Sequence, residues 1–380
     1  MLQLTREQQF FIDTLKNYIL ENESAACEAL DWNAIKKYAD HHQVTAIFYK
    51  QTKQPIFQSA YASQLYRYVN FEKVIQSLKE ALKDYSYAMV KGVTVSGLYP
   101  VPALRSMGDV DVLIHEEDGE RICSALTDLG FELQMRWELG DWIYTKNGYI
   151  FELHDSLVHR YEGKEKLVEY FSHAWEYVKD GELTWSFHLI YLLEHLRQHF
   201  VGHGVGFRQF MDVAIVCKKC NIDWEFVSDE LKKINLYDFA STVFAFINHW
   251  FELSVPFEKS EISEEFFIRA SSKIFEDGVF GFDNEENQNT DLTFQMYYKG
   301  LEYKKAKKDY VIRTAFPEYE AMCKLPYCAY VKRGKVLLPW AWIHRIIYRA
   351  FNKKSRRSVK ARLSKDRIEA RMNMLKEWGL

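Results

Sequence analysis

Apolar positions in residues 4–84 recur at helical spacing. Phe10, Phe11, Leu15, Tyr18 and Ile19 share one helix face, and Leu65, Val69, Val74, Leu78 and Leu82 share another in residues 62–84. Asp31 ahead of WNAIKKYADHH offers a carboxylate to the first free amides of a helix, so it reads as a cap. Near residue 86 the period changes. YAMVKG reads as a short strand ending at a glycine, VTVSGLY as a brief helix or turn, and VPALRSMG as a loop around Pro102 and Gly108. DVDVLI alternates strictly, which is the pattern of a strand. HEEDGERICSALTDLGF returns to helical spacing, with acids in its first turn and Gly130 at its end. FELQMRW, DWIYTK and YIFELHDSL predict three further strands, and Asn147-Gly148 between the last two predicts a hairpin turn. From residue 163 to about 310 the helical period resumes, most clearly in WSFHLIYLLEHLRQHF and FRQFMDVAIVCKKC.

This order predicts an α+β fold: a small mixed β-sheet core with flanking helices, then a larger, mostly helical C-terminal region. The expected division is a helical segment over 1–84, the sheet core over 85–160, a helical domain over 161–315, and a C-terminal region over 316–380 with a basic tail. A chain of 380 residues, 48% of them hydrophobic, is long enough for two or three such domains. The net charge of −3 gives no sign of a dedicated nucleic-acid binder. The distribution changes that picture locally, because residues 345–380 hold twelve Lys and Arg against three acids. MLQLTREQQFFIDTLKNYIL has no unbroken apolar stretch of the kind a secretory leader needs. VLLPWAWI, the longest apolar run, is far short of a membrane span. Six scattered cysteines in a chain of this size suit reduced thiols, so a cytoplasmic location is expected.

The candidate chemistry sits in the strand region. Side chains alternate along a strand, so Asp109 and Asp111 point the same way while Val110 and Val112 face a core. Two adjacent ionised carboxylates repel unless a cation lies between them or one is protonated. Oxygen ligands favour Mg²⁺ or Mn²⁺ over zinc. Glu152 and His154 make a second such pair on YIFELHDSL. If that strand lies beside DVDVLI, Glu152 reaches the same metal and serves as third ligand or base. Three carboxylates support a two-metal in-line displacement at phosphorus. Lys91 and Gly92 close the first strand, where backbone amides and an ammonium can meet phosphate oxygens. Arg105, just before the Asp pair, has the fork that binds phosphate bidentately.

VKGVTVSGLYPVPALRSMGDVDVLI resembles the signature of an uncharacterised nucleotidyltransferase family of bacteria, within the polymerase-β-like superfamily. That family reads Leu-Lys-Gly, an aromatic-Pro stretch, Arg, then Asp-hydrophobic-Asp. YIFELHDSL resembles its later hydrophobic-Asp-Leu-His strand, with Glu152 in the place of the third carboxylate and His154 on the matching histidine. HLRQHF, FRQFMDVAIV, NIDWE, AFPEYEAM and KVLLPWAWIHR resemble its helical and C-terminal parts, so the likeness covers most of the chain. The resemblance implies a metal-dependent nucleotidyltransferase. Asp109, Asp111 and Glu152 would bind Mg²⁺ or Mn²⁺, and Lys91, Gly92 and Arg105 would handle the phosphates. His154 and Arg208 would stand behind them or face substrate. The donor would be a nucleoside triphosphate, with ATP expected, and the acceptor an unidentified small molecule, peptide or protein. Lys91-Gly92 stands where the superfamily usually has Gly-Ser or Gly-Gly, and Glu152 replaces an Asp. A nucleotide-binding or partner-binding protein without turnover is therefore one alternative reading, and a phosphotransferase another.

Other features read more plainly. His195, His199 and His203 recur every four residues, so a helix stacks them on one face; a structural or substrate-facing role is expected rather than zinc. Arg208 and Asp212 are spaced to pair along one helix. Cys217 and Cys220 lack a second pair at zinc-ribbon spacing and read as ordinary thiols. The basic C-terminal segment reads as a solvated helix, with RNA or an anionic membrane as weaker candidate partners.

Overall fold

Strand order is the feature that positions everything else. The computed structural model describes residues 3–24, 29–136, 141–159, 163–202, 204–258, 260–279, 290–352 and 363–380. These divide into two compact units: Met1–Gln198 with Val205–Phe280 and Trp378–Leu380, and His199–Gly204 with Gly281–Glu377.

The first unit opens with helices α1 (Arg6–Leu20), α2 (Trp32–His41), α3 (Thr45–Thr52) and α4 (Gln58–Leu82). Thr5 and Gln8 form a reciprocal capping box at the start of α1, and Asp31 caps α2 through the amides of Asn33 and Ala34. The chain then alternates through β1 (Tyr87–Val90), α5 (Gly92–Ser96), β2 (Asp109–Ile114), α6 (Gly119–Asp128), β3 (Glu132–Arg136), β4 (Asp141–Lys146) and β5 (Tyr149–His154). After α7 (Glu165–Ser172), two short strands follow, β6 (Val178–Lys179) and β7 (Glu182–Leu183). Helices α8 (Trp185–Gly202), α9 (Phe207–Lys219), α10 (Trp224–Lys233), α11 (Tyr237–Phe251) and α12 (Glu264–Asp277) follow.

The seven strands form one mixed sheet in the order β3-β4-β5-β2-β1-β7-β6. The chain is therefore α+β, with the sheet flanked by helices. β2 is central. It runs parallel to β5 and antiparallel to β1. Asn147 and Gly148, both at positive φ, make the expected hairpin between β4 and β5. The β6–β7 hairpin, turning on Asp180 and Gly181 at positive φ, is absent from the sequence expectation; β7 extends the sheet beside β1.

Alternation gives the sheet two unlike faces. Val110, Val112 and Ile114 of β2 and Phe151 and Leu153 of β5 lie with Trp142 and Tyr144 in one core. That core is closed by Phe71, Val74, Ile75, Leu78 and Leu82 of α4 and by Ile122 and Leu126 of α6. Val69, expected on the buried side of α4, is instead 57% exposed. Val69 and Val74 are five residues apart, about 140° of helix rotation, so the buried stripe runs instead through Phe71, Val74, Ile75 and Leu78. The opposite face carries the acids. On that side α5 packs against α9, and α1 packs against α9 and α11 around Phe11, Phe207, Phe210 and Trp250.

The second unit contains α13 (Thr290–Lys299), α14 (Tyr303–Ala315), α15 (Tyr319–Cys323), α16 (Leu338–Phe351) and α17 (Lys365–Glu377). It has two small cores of its own, one around Leu292, Tyr310 and Ile368, the other around Met322, Cys328, Val331 and Ala341. Among the described residues no helix is long and apolar enough to cross a membrane.

Candidate active site

The register of β2 on β5 sets Asp111 directly beside Glu152, and Leu113 beside His154. β4 adds Asp141 opposite His154. Alternation then brings Asp109, Asp111, Glu152, His154 and Asp141 onto one face. Their surroundings differ. Asp109, at the start of the strand, is exposed, Glu152 is half-buried, and Asp111 is only 3% exposed. Among the described residues one group of metal-capable side chains converges. Asp111, Glu152 and His154 each offer a ligand atom, all within 4.8 Å of one another.

The cation that such crowding requires is partly the protein's own. Lys91 Nζ donates to Asp111 Oδ1 at 2.6 Å, and His154 Nε2 lies 3.0 Å from the same oxygen. His154 Nδ1 lies 2.8 Å from Asp141 Oδ1, and His159 Nδ1 lies 3.0 Å from Asp141 Oδ2. Burial alone would raise the Asp111 carboxyl, but Lys91 and His154 outweigh it and hold the group well below the usual carboxylate range. Burial would lower His154, yet its bonds to Asp111 and Asp141 bring it up to about 9. At neutral pH His154 therefore carries both ring protons and donates to a carboxylate on each side. Glu152 is pushed up, first by burial and then by the charges of Asp111 and Asp109. Asp109, although exposed as a residue, has protein packed around its carboxyl, which pushes it up, and Asp111 adds to this.

Within this set the carboxylates of Asp111 and Glu152, and not the His154 ring with both nitrogens on carboxylates, fit a divalent cation. Both hydrogen bonds to Asp111 fall on Oδ1, which leaves the lone pairs of Oδ2 for another partner. Glu152 stands 3.8 Å from His154 through Oε2. Carboxylate oxygens held on one face by strand register are what a hard cation selects.

The sequence-predicted phosphate residues lie beside this face. Lys91 follows β1 as the N-cap of α5, at φ +56° and ψ −130°, a conformation ordinarily left to glycine. Its amide donates to His188 Nε2 at 2.9 Å, and its ammonium lies over the Tyr191 ring, both on α8. Arg105 is buried and turns to Asp212 of α9, with Nη2–Oδ2 at 2.7 Å and Nε–Oδ1 at 3.2 Å. Tyr99 Oη adds a third bond to Asp212 at 2.7 Å. The expected Arg208–Asp212 pair thus gives way to Arg105–Asp212. On a helix the four-residue spacing permits a pair, but the loop arginine takes the carboxylate first. Arg208 instead donates to the Ser106 carbonyl at 2.7 Å, beside Arg105. Burial and then the neighbouring Arg105 charge bring Arg208 down to about 10. Its Nε is buried without a hydrogen-bond partner among the described residues.

Gly92 has a steric reason to be glycine. A Cβ there would meet Arg105 Nη1 at 2.1 Å. Because Asp212 fixes that guanidinium, Gly92→Ala is expected to cost about 1–3 kcal/mol of unfolding free energy, measured by urea denaturation.

Burial brings His188 down to about 4. It stays neutral, and its Nε2 accepts the Lys91 amide. The unfolded chain takes up this proton below about pH 6.5, while the folded chain resists until about pH 4. The stability is therefore present above 6.5 and lost as pH falls, by up to about 3 kcal/mol. His42, brought down to about 3 by burial, adds a loss of the same sign. In His188→Gln, which accepts the amide without titrating, the urea midpoint should fall less steeply over that window.

Sequence reasoning did not single out Asp141, His159, His188, Tyr191 or Tyr99. Asp141 begins a predicted strand, which was the one local signal; the others arrive from distant elements. His203 lies outside the described residues, and neither His195 nor His199 joins the metal-capable group. Cys217 and Cys220 are free thiols, both pushed up by burial, Cys220 to about 12.

A family model described as an uncharacterised nucleotidyltransferase matches residues 28–252, more than half of the chain and all of this site. No curated protein and no solved structure matches the chain.

Proposed function

The chain belongs to the uncharacterised nucleotidyltransferase family, and from that premise we propose that it transfers a nucleoside monophosphate from a nucleoside triphosphate, with ATP the expected donor, to a hydroxyl-bearing acceptor. The acceptor oxygen bonds to the α-phosphorus, the bond from that phosphorus to the β-bridging oxygen breaks, and pyrophosphate leaves. Asp109, Asp111 and Glu152 would hold Mg²⁺ or Mn²⁺, which when bound neutralises phosphate charge and acidifies the attacking hydroxyl. Glu152 receives the hydroxyl proton; a carboxyl pushed up by burial and by Asp111 is a stronger base than a free carboxylate. Lys91, at the end of β1 with Gly92, and Arg208, with an unpartnered Nε, face the triphosphate. Arg105 holds the loop before Asp109 in place through Asp212. His154 orients Asp111 and is itself oriented by Asp141.

The observation that carries this reading is the register: Asp111 and Glu152 are direct neighbours on parallel strands. A second reading, nucleotide binding without turnover, is favoured by the Lys91–Asp111 ion pair, which already neutralises the central aspartate. One experiment separates them. The full chain is incubated with each nucleoside triphosphate, with Mg²⁺ or Mn²⁺, and with acceptors including sugars, peptides and the chain itself. Pyrophosphate is assayed and products are weighed by mass spectrometry. Pyrophosphate with a nucleotidyl gain supports transfer. Gain of a phosphate alone identifies a phosphotransferase, and binding by calorimetry without any product supports the second reading.

A further inference from the structure

α16 is sided the wrong way for a helix in water. Ala341 is buried, and Leu338 and Trp342 are half-buried against Met322, Cys328 and Val331. Trp342 Nε1 donates to the Pro317 carbonyl at 2.8 Å. Arg345 also turns inward and donates to the Thr314 carbonyl. The outward stripe is apolar: Trp340 is 69% exposed, Ile343 51%, Ile347 50% and Phe351 84%, with Val336 at 89% one turn earlier. Steps of three and four residues put Trp340, Ile343, Ile347 and Phe351 on one line of α16, about 16 Å long. An apolar stripe of this length, with arginine on the inner side, marks an interaction surface.

Charge says what covers it. Residues 321–365 contain thirteen Lys and Arg and no Asp or Glu. Lys332, Arg333 and Lys335 are exposed just ahead of the stripe. A second copy would bring like charge against like charge. RNA bases would stack on Trp340, Tyr348 and Phe351, but Ile343, Ile346 and Ile347 between them offer no flat ring and gain nothing from RNA. An anionic lipid surface satisfies both features at once. The segment also lies outside residues 28–252, the family match. We propose that α16 lies in the plane of an anionic membrane surface, with Trp340, Ile343, Ile347 and Phe351 entering the acyl boundary and Lys332, Arg333 and Lys335 on the headgroups.

The test is co-sedimentation of the full chain with phosphatidylcholine vesicles, with and without about 30% phosphatidylserine. Binding is expected only to the anionic vesicles and to fall with about 0.5 M salt. Trp340→Ser with Ile343→Ser and Ile347→Ser should reduce partitioning more than about tenfold, with an unchanged far-ultraviolet circular dichroism spectrum. Lys332→Glu with Arg333→Glu and Lys335→Glu should do the same independently, should the first variant not fold. The proposal is overturned by equal binding to neutral vesicles, by no binding to either, or by binding that neither variant reduces. A dimer in solution dispersed by the serine variant, or salt-sensitive RNA binding without vesicle binding, also overturns it.

Discussion

Asparagine at position 111 is expected to abolish nucleotidyl transfer, by roughly a thousandfold or more, and to destabilise the fold by about 3–5 kcal/mol. Both effects follow from one carboxylate. Asp111 is the aspartate that metal, Lys91 and His154 would share, and the amide keeps its shape while removing its charge. Lys91 and His154 would then be buried cations without their common counter-charge. Relief of repulsion with Glu152, whose carboxyl is pushed up by burial and by Asp111, offsets part of this. Asp109→Asn provides the contrast. It should lose transfer to a similar degree, yet change stability by only about 0.5 kcal/mol, because the Asp109 residue is exposed and its raised carboxyl means that its charge does not stabilise the fold. Urea denaturation alongside the pyrophosphate assay reads both quantities. Turnover surviving in Asp111→Asn would remove the site assignment. Equal stability losses in the two variants would remove the account of Asp111 as the hub of the charge network.

What the sequence disclosed was local. DVDVLI announced β2 and its two faces because a strand with one buried face must alternate. Asn147-Gly148 announced the hairpin because its residues tolerate positive φ. The hairpin signal puts Glu152 on a strand beside β4; that this strand also pairs with β2 was a condition, which the register meets. What stayed hidden was non-local. Nothing near residue 105 says that its partner is 107 positions away on α9. Asp141 looks like an ordinary strand start until β4 pairs with β5 and sets it opposite His154. The β6–β7 hairpin is two residues a side, too short for a period to show, although Asp180-Gly181 was a readable turn. Crowding of carboxylates, expected from alternation, is met at Asp111 and Glu152, while Asp109 is exposed and lies outside the metal-capable group. That Lys91 would answer part of it required the positive φ at the end of β1, which no residue pattern prescribes for a lysine.

The Arg105–Asp212 pair yields an ordering of effects. Both side chains are at most 8% exposed, so loss of either partner strands the other, at about 3–5 kcal/mol. The two losses are unequal. Arg105→Ala leaves Asp212 with Tyr99 Oη and with Arg208 nearby, so its charge stays partly answered. Asp212→Ala leaves two guanidinium groups, Arg105 and Arg208, side by side over the Ser106 carbonyl with no carboxylate between them. Asp212→Ala should therefore lie at the upper end of that range and Arg105→Ala at the lower. Arg105→Lys should recover little, since a single ammonium cannot make two bonds to one carboxylate. Arg105→Met with Asp212→Leu should recover most of the loss, because an apolar pair strands no charge. Transfer activity should fall in every one of these variants, since residues 102–108 lead directly into Asp109. Urea denaturation of the four variants fixes the order. If Arg105→Ala proved the more damaging single change, repulsion between the two arginines would not be what Asp212 relieves.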